Sequence, residues 1–276
     1  MHGPVMEKNM GVMDGKVVVV TGSGNGIGRA IALAFAGEGA HTVVADVLTT
    51  DGERTVQEII DRGGSAIFVE TDVSVVEQAR NLIEVAVTTF GRLDVLINNA
   101  GVSSEFVRLH ELEPEDFDRV FDVNVRGTFL CSKFAIPHFI ANQGGRIINI
   151  SSAYAMVSAP KCAPYCASKA AISHLTRQLA LDYGSDGILV NAIAPGYVDV
   201  GLGRRASSMS PGELAEATER REKAARRQPL GRQAQPSEMA SVALFLASEG
   251  ASFMTGSIVN VDGGETLAFN YGDASN

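Results

Sequence analysis

The stretch that decides the fold of this 276-residue chain reads Lys16-Val17-Val18-Val19-Val20-Thr21-Gly22-Ser23-Gly24-Asn25-Gly26-Ile27-Gly28. Four consecutive valines predict a strand that is buried on both faces, as in a parallel sheet covered by helices. Glycines in the turn that follows let the backbone approach a pyrophosphate, and the free amides of the next helix attract that anion. We therefore predict a nucleotide site at Gly22, Asn25, Gly26, Ile27 and Gly28.

The spacing of these glycines differs from the common dinucleotide pattern. Ile27 stands where the third glycine of G-x-G-x-x-G would fall, and the chain reads G-x-x-x-G-x-G from Gly22 to Gly28 instead. A glycine-rich turn without a ligand is therefore the alternative interpretation.

Asp46 favours the nucleotide interpretation. It ends the second predicted strand, where a carboxylate accepts hydrogen bonds from both hydroxyls of an adenosine ribose. A 2′-phosphate would meet Asp46 as a like charge, and Val47, Ser23 and Asn25 offer that phosphate no basic side chain. The chain is therefore predicted to use NAD rather than NADP.

Short apolar runs alternate with longer helical patterns along the rest of the chain. Strands are predicted at 16–20, 42–45, 66–69, 93–97, 146–150, 189–193 and 257–261. Helices are predicted between them at 28–37, 53–62, 75–90, 114–141 and 164–183, from apolar residues at three- and four-residue steps. This alternation predicts an α/β fold, a Rossmann-like, doubly wound, seven-stranded parallel sheet with helices on both faces.

Composition narrows the classes of function. With 45% hydrophobic and 20% charged residues, the chain is predicted to form a flexible N-terminal arm over 1–13 and a single catalytic domain over 14–276. A net charge of −9 argues against nucleic acid and anionic membrane surfaces as partners. The three cysteines predict no disulfide framework, and the scattered histidines predict no metal site. Without a signal-peptide pattern, we expect a cytoplasmic protein.

A second motif, Tyr165-Cys166-Ala167-Ser168-Lys169, predicts the chemistry. Residues four apart on a helix project from the same face, so an ammonium group stands beside a phenol. The ordinary pKa of a phenol is about 10, and a neighbouring cation lowers it. Tyr165 is therefore predicted to take or give a proton, with Lys169 lowering its pKa.

From about Lys16 to Gly264 the chain resembles the short-chain dehydrogenase/reductase family. The segments that carry the resemblance are Thr21 to Gly28, Asp72-Val73, Asn98-Asn99-Ala100-Gly101, Asn149-Ile150-Ser151-Ser152, Tyr165-x-x-x-Lys169, Asn191 to Gly196 and Thr255 to Gly264. The resemblance implies hydride transfer between a nicotinamide cofactor and a small molecule. It also implies assembly as a homotetramer or homodimer.

The resemblance further implies a catalytic tetrad of Asn124, Ser152, Tyr165 and Lys169. Ser152 would hold the substrate oxygen beside Tyr165, Lys169 would also hold the nicotinamide ribose, and Asn124 would disturb its helix and help to hold a proton-relay water. Ser151 is the competing serine, with a backbone-orienting role as its alternative.

Further cofactor contacts are implied for Asp72, Val73, Asn99, Ala100, Gly101, Tyr165, Pro195, Gly196 and Val198. The chain departs from the family pattern at Val200, where the family usually has a threonine that contacts the nicotinamide carboxamide. We expect that hydrogen bond to be missing.

Residues 201–228 form a charged segment that is predicted to cover the substrate. This segment contains seven basic residues and four glutamates. The basic residues would either attract an anionic substrate or belong to the charged, solvent-exposed face of a helix. Segments 103–106, 153–162 and 197–202 would line the pocket. Met156, Val157, Ala159 and Pro160 make one wall apolar, which favours a hydrophobic or cyclic secondary alcohol.

Two other functions stay open. An NADPH-dependent ketone or 3-oxoacyl reductase would use the same chemistry but is disfavoured by Asp46. A non-catalytic nucleotide-binding sensor is disfavoured by the tetrad, because a protein that only binds has no need of a proton-transfer array.

Overall fold

The structure is a computed structural model that describes residues 11–200, 210–226 and 228–267. Its strands are β1 (Val17–Thr21), β2 (His41–Asp46), β3 (Ser65–Glu70), β4 (Val95–Asn98), β5 (Gly145–Ile150), β6 (Ile188–Pro195) and β7 (Ile258–Val261). They form one sheet in the order β3-β2-β1-β4-β5-β6-β7, and each neighbouring pair runs parallel. The predicted doubly wound α/β class is confirmed.

The helices are α1 (Gly26–Gly37), α2 (Thr49–Asp61), α3 (Val76–Phe90), α4 (Pro114–Phe121), α5 (Gly127–Ala141), α6 (Ala163–Tyr183), α7 (Pro211–Ala225) and α8 (Pro236–Ala247). Proline stands in the first turn of α4, α6, α7 and α8, where its missing amide costs no hydrogen bond. The single helix predicted over 114–141 is divided, because a π-helical turn at Asp122–Arg126 joins α4 to α5.

The position of β1 between two cores explains why its sequence is apolar without interruption. Val18 and Val20 face a core that contains Phe35 of α1 and residues of α8, whereas Val17 and Val19 face a second core with residues of α3, α5 and α6. All four valines are fully buried. Burying a valine side chain stabilises the fold by about 1.5–3 kcal/mol, so helices on both faces select valine at every position of β1.

The sheet order reverses direction at β1, which pairs with β2 on one side and β4 on the other. In open α/β sheets the crevice for a ligand lies at such a switch point, beyond the carboxyl ends of the strands. The segments that follow β1, β4, β5 and β6 therefore meet at one edge, and these segments carry most of the predicted site residues.

The predicted N-terminal arm ends earlier than residue 13. Met13 belongs to the α1 side of the core with 2% of its surface exposed, and its amide donates to the Glu38 carbonyl at 3.1 Å. The Val12 amide donates to the Glu38 carboxylate, also at 3.1 Å. Residues 11–13 therefore pack with the domain, because the apolar Met13 side chain fills a place in its core.

Other predicted segments lie partly outside the described residues. These are positions 1–10 of the arm, the C-terminal 268–276, and positions 201–209 and 227 of the segment predicted to cover the substrate. Helix α7 occupies most of that segment's described part. No helix in the described ranges is long and apolar enough to cross a bilayer.

Candidate active site

The glycine turn after β1 has the shape of an anion cradle. Gly22 and Gly26 have φ of +62° and +55°, which side-chain-bearing residues rarely adopt. Asn25 is the N-cap of α1, but its side chain forms no capping hydrogen bond, so it does not cover the first-turn amides. The side chain of Ile27 packs against the core and leaves only its backbone toward the turn. These features fit a pyrophosphate.

Gly28 is required by close approach. A Cβ atom at this position would lie 2.2 Å from the Gly22 carbonyl oxygen and 2.4 Å from Nδ2 of Asn99. We expect Gly28→Ala to lower the free energy of unfolding by about 1–3 kcal/mol, the usual cost of overpacking, and to abolish binding of NAD. Thermal unfolding and calorimetric titration with NAD measure both effects.

Gly37→Ala is the matched control, because Gly37 ends the same helix and its added Cβ would meet no atom within 4 Å. This variant should keep both stability and binding. Equal behaviour of the two variants would contradict the steric argument.

Asn99, just after β4, holds the glycine turn in place. Its side-chain amide donates to the carbonyls of Thr21 and Gly22, both at 2.9 Å. The backbone amides of Asn99 and Ala100 each donate to the Thr21 hydroxyl at 3.0 Å. Because both side-chain hydrogens of Asn99 are used, its predicted cofactor contact falls on other atoms. Sequence reasoning gave Thr21 no role, although it adjoins the motif.

Asp46 lies at the carboxyl end of β2, next to the glycine turn. Its Oδ2 accepts the amide of Gly24 at 2.9 Å and its Oδ1 accepts the amide of Leu48 at 3.0 Å. These bonds fix the carboxylate, which is 8% exposed. The nearby cations have acidic partners, since Arg29 pairs with Glu58 and Arg54 pairs with Asp51.

Asp72 and Val73 occupy the segment after β3. Asp72 Oδ1 accepts both the amide and the hydroxyl of Ser74, at 2.9 and 2.6 Å, and the Asp72 amide donates to Gln78. The Val73 side chain is buried against Gly127 at the start of α5. Both residues are rigidly held, and their adenine contacts stay predictions.

Ser152, Tyr165 and Lys169 come together at the edge of β5. Ser152 follows β5, and its hydroxyl lies close enough to the Tyr165 phenol to lower the pKa of that phenol. Nζ of Lys169 lies 5.6 Å from the centre of the Tyr165 ring and donates to the Ile150 carbonyl at 2.8 Å. The hydroxyl of Ser151 instead donates to the Lys169 carbonyl at 3.1 Å and faces Ser173 at 2.7 Å.

The protonation of this group differs from the prediction. Burial raises the pKa of Tyr165 to about 12, and the hydrogen bond with Ser152 opposes that rise. Burial also lowers the pKa of Lys169 to about 8. Lys169 therefore does not bring the pKa of Tyr165 below its ordinary value, because loss of solvent outweighs other effects and Nζ is turned toward the Ile150 carbonyl.

Asn124 lies fully buried in the π-helical turn between α4 and α5. Its side-chain amide donates to the Val102 carbonyl and the Ser168 hydroxyl, both at 3.0 Å, and its Oδ1 accepts the Val102 amide at 2.8 Å. A Cβ at Gly101 would lie 3.3 Å from Asn124 Oδ1 and 3.4 Å from Lys169 Nζ. Asn124 therefore fixes the loop after β4 and borders the same narrow space as Lys169.

The loop after β6 reaches back toward the glycine turn. Pro195 ends β6 and Gly196 follows it. The Val198 carbonyl accepts Arg221 Nη2 of α7 at 2.8 Å, so the helix is tied to this loop. Cγ1 of Val200 lies 3.3 Å from the position of a Cβ on Gly26. An isopropyl group thus lies over the glycine turn where the family usually has a hydroxyl.

Part of the predicted apolar wall near Tyr165 is open to solvent. Cys162 and Cys166 line a cavity of about 510 Å³ next to the start of α6. Met156 and Val157 of the predicted apolar wall are 47% and 37% exposed. The predicted pocket segments 153–162 and 197–202 contain Tyr154 and Tyr197, but sequence reasoning did not predict that their hydroxyl groups pair. In the described ranges, no three His, Cys, Asp or Glu side chains group so as to hold a metal ion.

The sequence matches known proteins over most of its length. A protein-family model described as "Enoyl-(Acyl carrier protein) reductase" matches residues 22–266. The chain belongs to the short-chain dehydrogenase/reductase family. Membership in this short-chain family makes the protein an oxidoreductase with a nicotinamide cofactor and a small-molecule substrate.

Three similar short-chain family proteins span nearly the whole chain. An uncharacterized oxidoreductase of Thermotoga maritima is 41% identical over 91% of this chain and 98% of its own length. The cis-4-hydroxycyclohexanecarboxylate dehydrogenase of Sinomonas cyclohexanicum is 39% identical over 91% and 96%, respectively. Glucose 1-dehydrogenase 2 of Bacillus subtilis is 40% identical over 92% and 96%.

Proposed function

We propose that the protein is an NAD-dependent dehydrogenase that transfers a hydride between NAD and a secondary alcohol or ketone, with Tyr165 as general acid and base. The observation that carries the proposal is the meeting of Ser152, Tyr165 and Lys169 at the carboxyl edge of the sheet, beside the glycine turn. A buried phenol with a hydroxyl and an ammonium group close by is suited to proton transfer at a substrate oxygen.

The choice of NAD is supported by the charges around Asp46. Its carboxylate is fixed at the edge of the glycine turn, where ribose hydroxyls can donate to it. The closest basic side chains of α1 and α2 are engaged with acids, Arg29 with Glu58 and Arg54 with Asp51. A 2′-phosphate would therefore meet a carboxylate, and among the described residues the cations of α1 and α2 are already paired with acids.

The cofactor would be held by the residues of the cradle and the loops around it. The glycine turn and the first amides of α1 would bind the pyrophosphate, Asp46 the adenosine ribose, and Lys169 the nicotinamide ribose. When bound, the nicotinamide supplies the hydride acceptor or donor and, in its oxidised form, a positive charge.

The proton is handled by the chain itself. During oxidation, the Tyr165 phenolate takes the proton of the alcohol while the hydride leaves the carbon that bears the oxygen. During reduction, the Tyr165 phenol returns that proton to the oxygen. The Ser152 hydroxyl holds the substrate oxygen in place, and Lys169 carries positive charge beside the phenol. Asn124 keeps the neighbouring loop fixed through its bonds to Val102.

A hydrophobic or cyclic substrate is the class we propose. Support comes from the apolar residues near the site and from the relatives named for cis-4-hydroxycyclohexanecarboxylate and glucose. Residues 201–228 as a cover over the substrate, a homodimer or homotetramer, and a cytoplasmic location stay predictions from the sequence.

The experiment that tests the function follows absorbance of the reduced cofactor. The purified protein is offered NAD and NADP at equal concentration, with a panel of cyclic diols, hydroxysteroids, polyols and hydroxy acids. We expect oxidation of at least one secondary alcohol with NAD. Turnover with NADPH and 3-oxoacyl compounds alone would favour the reductase alternative, and NAD binding without any turnover would favour the sensor.

The pH dependence of the reaction follows from the pKa of Tyr165. Because that pKa is raised to about 12, the phenolate is the minor form at neutral pH and increases as pH rises. We expect kcat/KM for oxidation to rise up to about tenfold per pH unit above neutrality. The rise should flatten near the Lys169 pKa of about 8, since the ammonium charge is lost there. Reduction should slow as pH rises. Oxidation that falls with pH would contradict Tyr165 as the base.

A further inference from the structure

Two tyrosines stand with their hydroxyl groups in contact beside the predicted catalytic group. The Tyr154 and Tyr197 hydroxyl oxygens are 2.7 Å apart, and their rings meet edge to face with centres 6.4 Å apart. The Tyr154 amide donates to the Ser152 hydroxyl at 3.1 Å, and the Tyr197 carbonyl accepts the Ala234 amide at 2.8 Å. Both tyrosines are therefore anchored by their backbones as well as by each other.

The tyrosine pair lies at the same carboxyl edge of the sheet as Ser152. Tyr154 follows Ser152 by two residues at the end of β5, and Tyr197 follows the end of the neighbouring β6. The buried Cys162 lies close enough to act electrostatically on the phenols of both Tyr154 and Tyr165. A substrate whose oxygen contacts Ser152 and Tyr165 would therefore have other atoms near the pair.

The tyrosine pair has unused hydrogen-bonding capacity. Two hydroxyl groups carry two hydrogens, and one hydrogen suffices for the bond between them. In the described part of the chain, neither hydroxyl has another hydrogen bond among the side-chain contacts that the structure shows. A half-buried donor left unpaired beneath an apolar ligand is costly, whereas a ligand hydroxyl can both give and accept a bond there.

We infer that Tyr154 and Tyr197 bind a second hydroxyl group of the substrate and make neutral cyclic diols or polyols the preferred class. The inference rests on the proposed function and deepens it. It makes these two tyrosines specificity-determining residues, distinct from the residues that move the proton, and it narrows the hydrophobic or cyclic class to compounds with at least two hydroxyl groups.

The charged groups near the tyrosine pair favour a neutral over an anionic substrate group. Glu265 lies within electrostatic range of Tyr154, and Asp262 acts on Glu265 in turn. Burial raises the pKa of Glu265 to about 7, so part of it is charged at neutral pH. Arg221 of α7 acts electrostatically on Tyr197 and donates to the Val198 carbonyl. Charges of both signs therefore surround the tyrosine pair, and Glu265 would repel a substrate carboxylate bound beside Tyr154.

The test compares cyclohexanol with the cis and trans isomers of cyclohexane-1,2-, 1,3- and 1,4-diol, and with 4-hydroxycyclohexanecarboxylate, all with NAD. We expect the best diol to exceed both other compounds in kcat/KM by about 10- to 100-fold, the value of one well-placed hydrogen bond in an enclosed site. Tyr154→Phe and Tyr197→Phe should each lower the ratio of diol to cyclohexanol about tenfold, and the double variant should add little, since the two hydroxyl groups act as a unit.

Tyr183→Phe, at the end of α6, is the matched control and should keep the wild-type ratio. The inference is overturned if cyclohexanol equals the best diol, or if the tyrosine variants lower both substrates by the same factor. Absence of turnover with every alcohol would instead defeat the proposed function. In that case the inference is tested by binding alone. The diol should raise the thermal unfolding temperature of the wild type more than that of Tyr197→Phe. Equal shifts in the two proteins would overturn the inference.

Discussion

Tyr165→Phe is expected to reduce kcat by about 100- to 10,000-fold while NAD still binds, because positioned acid–base catalysis is worth about this much. The substitution removes only the hydroxyl on which Ser152 acts and leaves the ring beneath Lys169. The chain contains no tryptophan, so cofactor binding is best followed by calorimetry rather than by protein fluorescence. Steady-state rates of both oxidation and reduction should fall together.

Two comparisons make this result specific. Tyr183→Phe changes the same residue type on the same helix, away from the site, and should keep wild-type rates. Ser151→Ala removes the hydroxyl that faces Ser173 and should cost far less activity than Ser152→Ala, if Ser152 holds the substrate oxygen. Wild-type turnover in Tyr165→Phe would end the proposed role, and loss of NAD binding would mean that the variant acts through structure.

Asp46→Asn is expected to change the ratio of kcat/KM for NAD over NADP by about 10- to 100-fold in favour of NADP, since a charge close to the 2′-phosphate is removed. The wild type should prefer NAD strongly. The asparagine keeps the size of the side chain but only one accepting oxygen, so one of the bonds from the Gly24 and Leu48 amides is lost, and thermal unfolding of the variant measures that cost. Both cofactors are titrated with the best alcohol found.

Glu70→Gln is the matched control, because Glu70 stands opposite Asp46 in the register of β2 and β3 and is exposed. It accepts the Thr49 hydroxyl at 2.9 Å and is not part of the cradle. This variant should keep the wild-type cofactor ratio. A wild type that uses NADP as well as NAD, or a ratio that Asp46→Asn leaves unchanged, would overturn the assignment of NAD.

Much of the fold followed from local sequence patterns. The run of valines at 17–20 predicted a strand buried on two faces, and both faces of β1 are indeed covered. The boundary of the domain was harder to predict. Met13 precedes β1 in a polar segment, and its burial depends on a cavity formed by α1 and strands distant in sequence.

The candidate site also combines features that the sequence predicts with features that it does not. The spacing of Tyr165 and Lys169 sufficed to predict that they share one face, because residues four apart in a helix lie about one turn apart, one above the other. The role of the Asn99 side chain in holding Thr21 and Gly22 could not be predicted, because it depends on how far β4 extends past β1.

The sequence by itself determined the order of strands and helices, the glycine cradle and the types of residue at the chemistry. These features depend on backbone geometry and on side-chain periods that repeat within a few residues. The tertiary structure alone decided the pKa of Tyr165 and the contact of Tyr154 with Tyr197. The pKa depends on desolvation, to which every chain segment around the phenol contributes. Tyr154 and Tyr197 are 43 residues apart in sequence, and they meet only because the ends of β5 and β6 are aligned in the sheet.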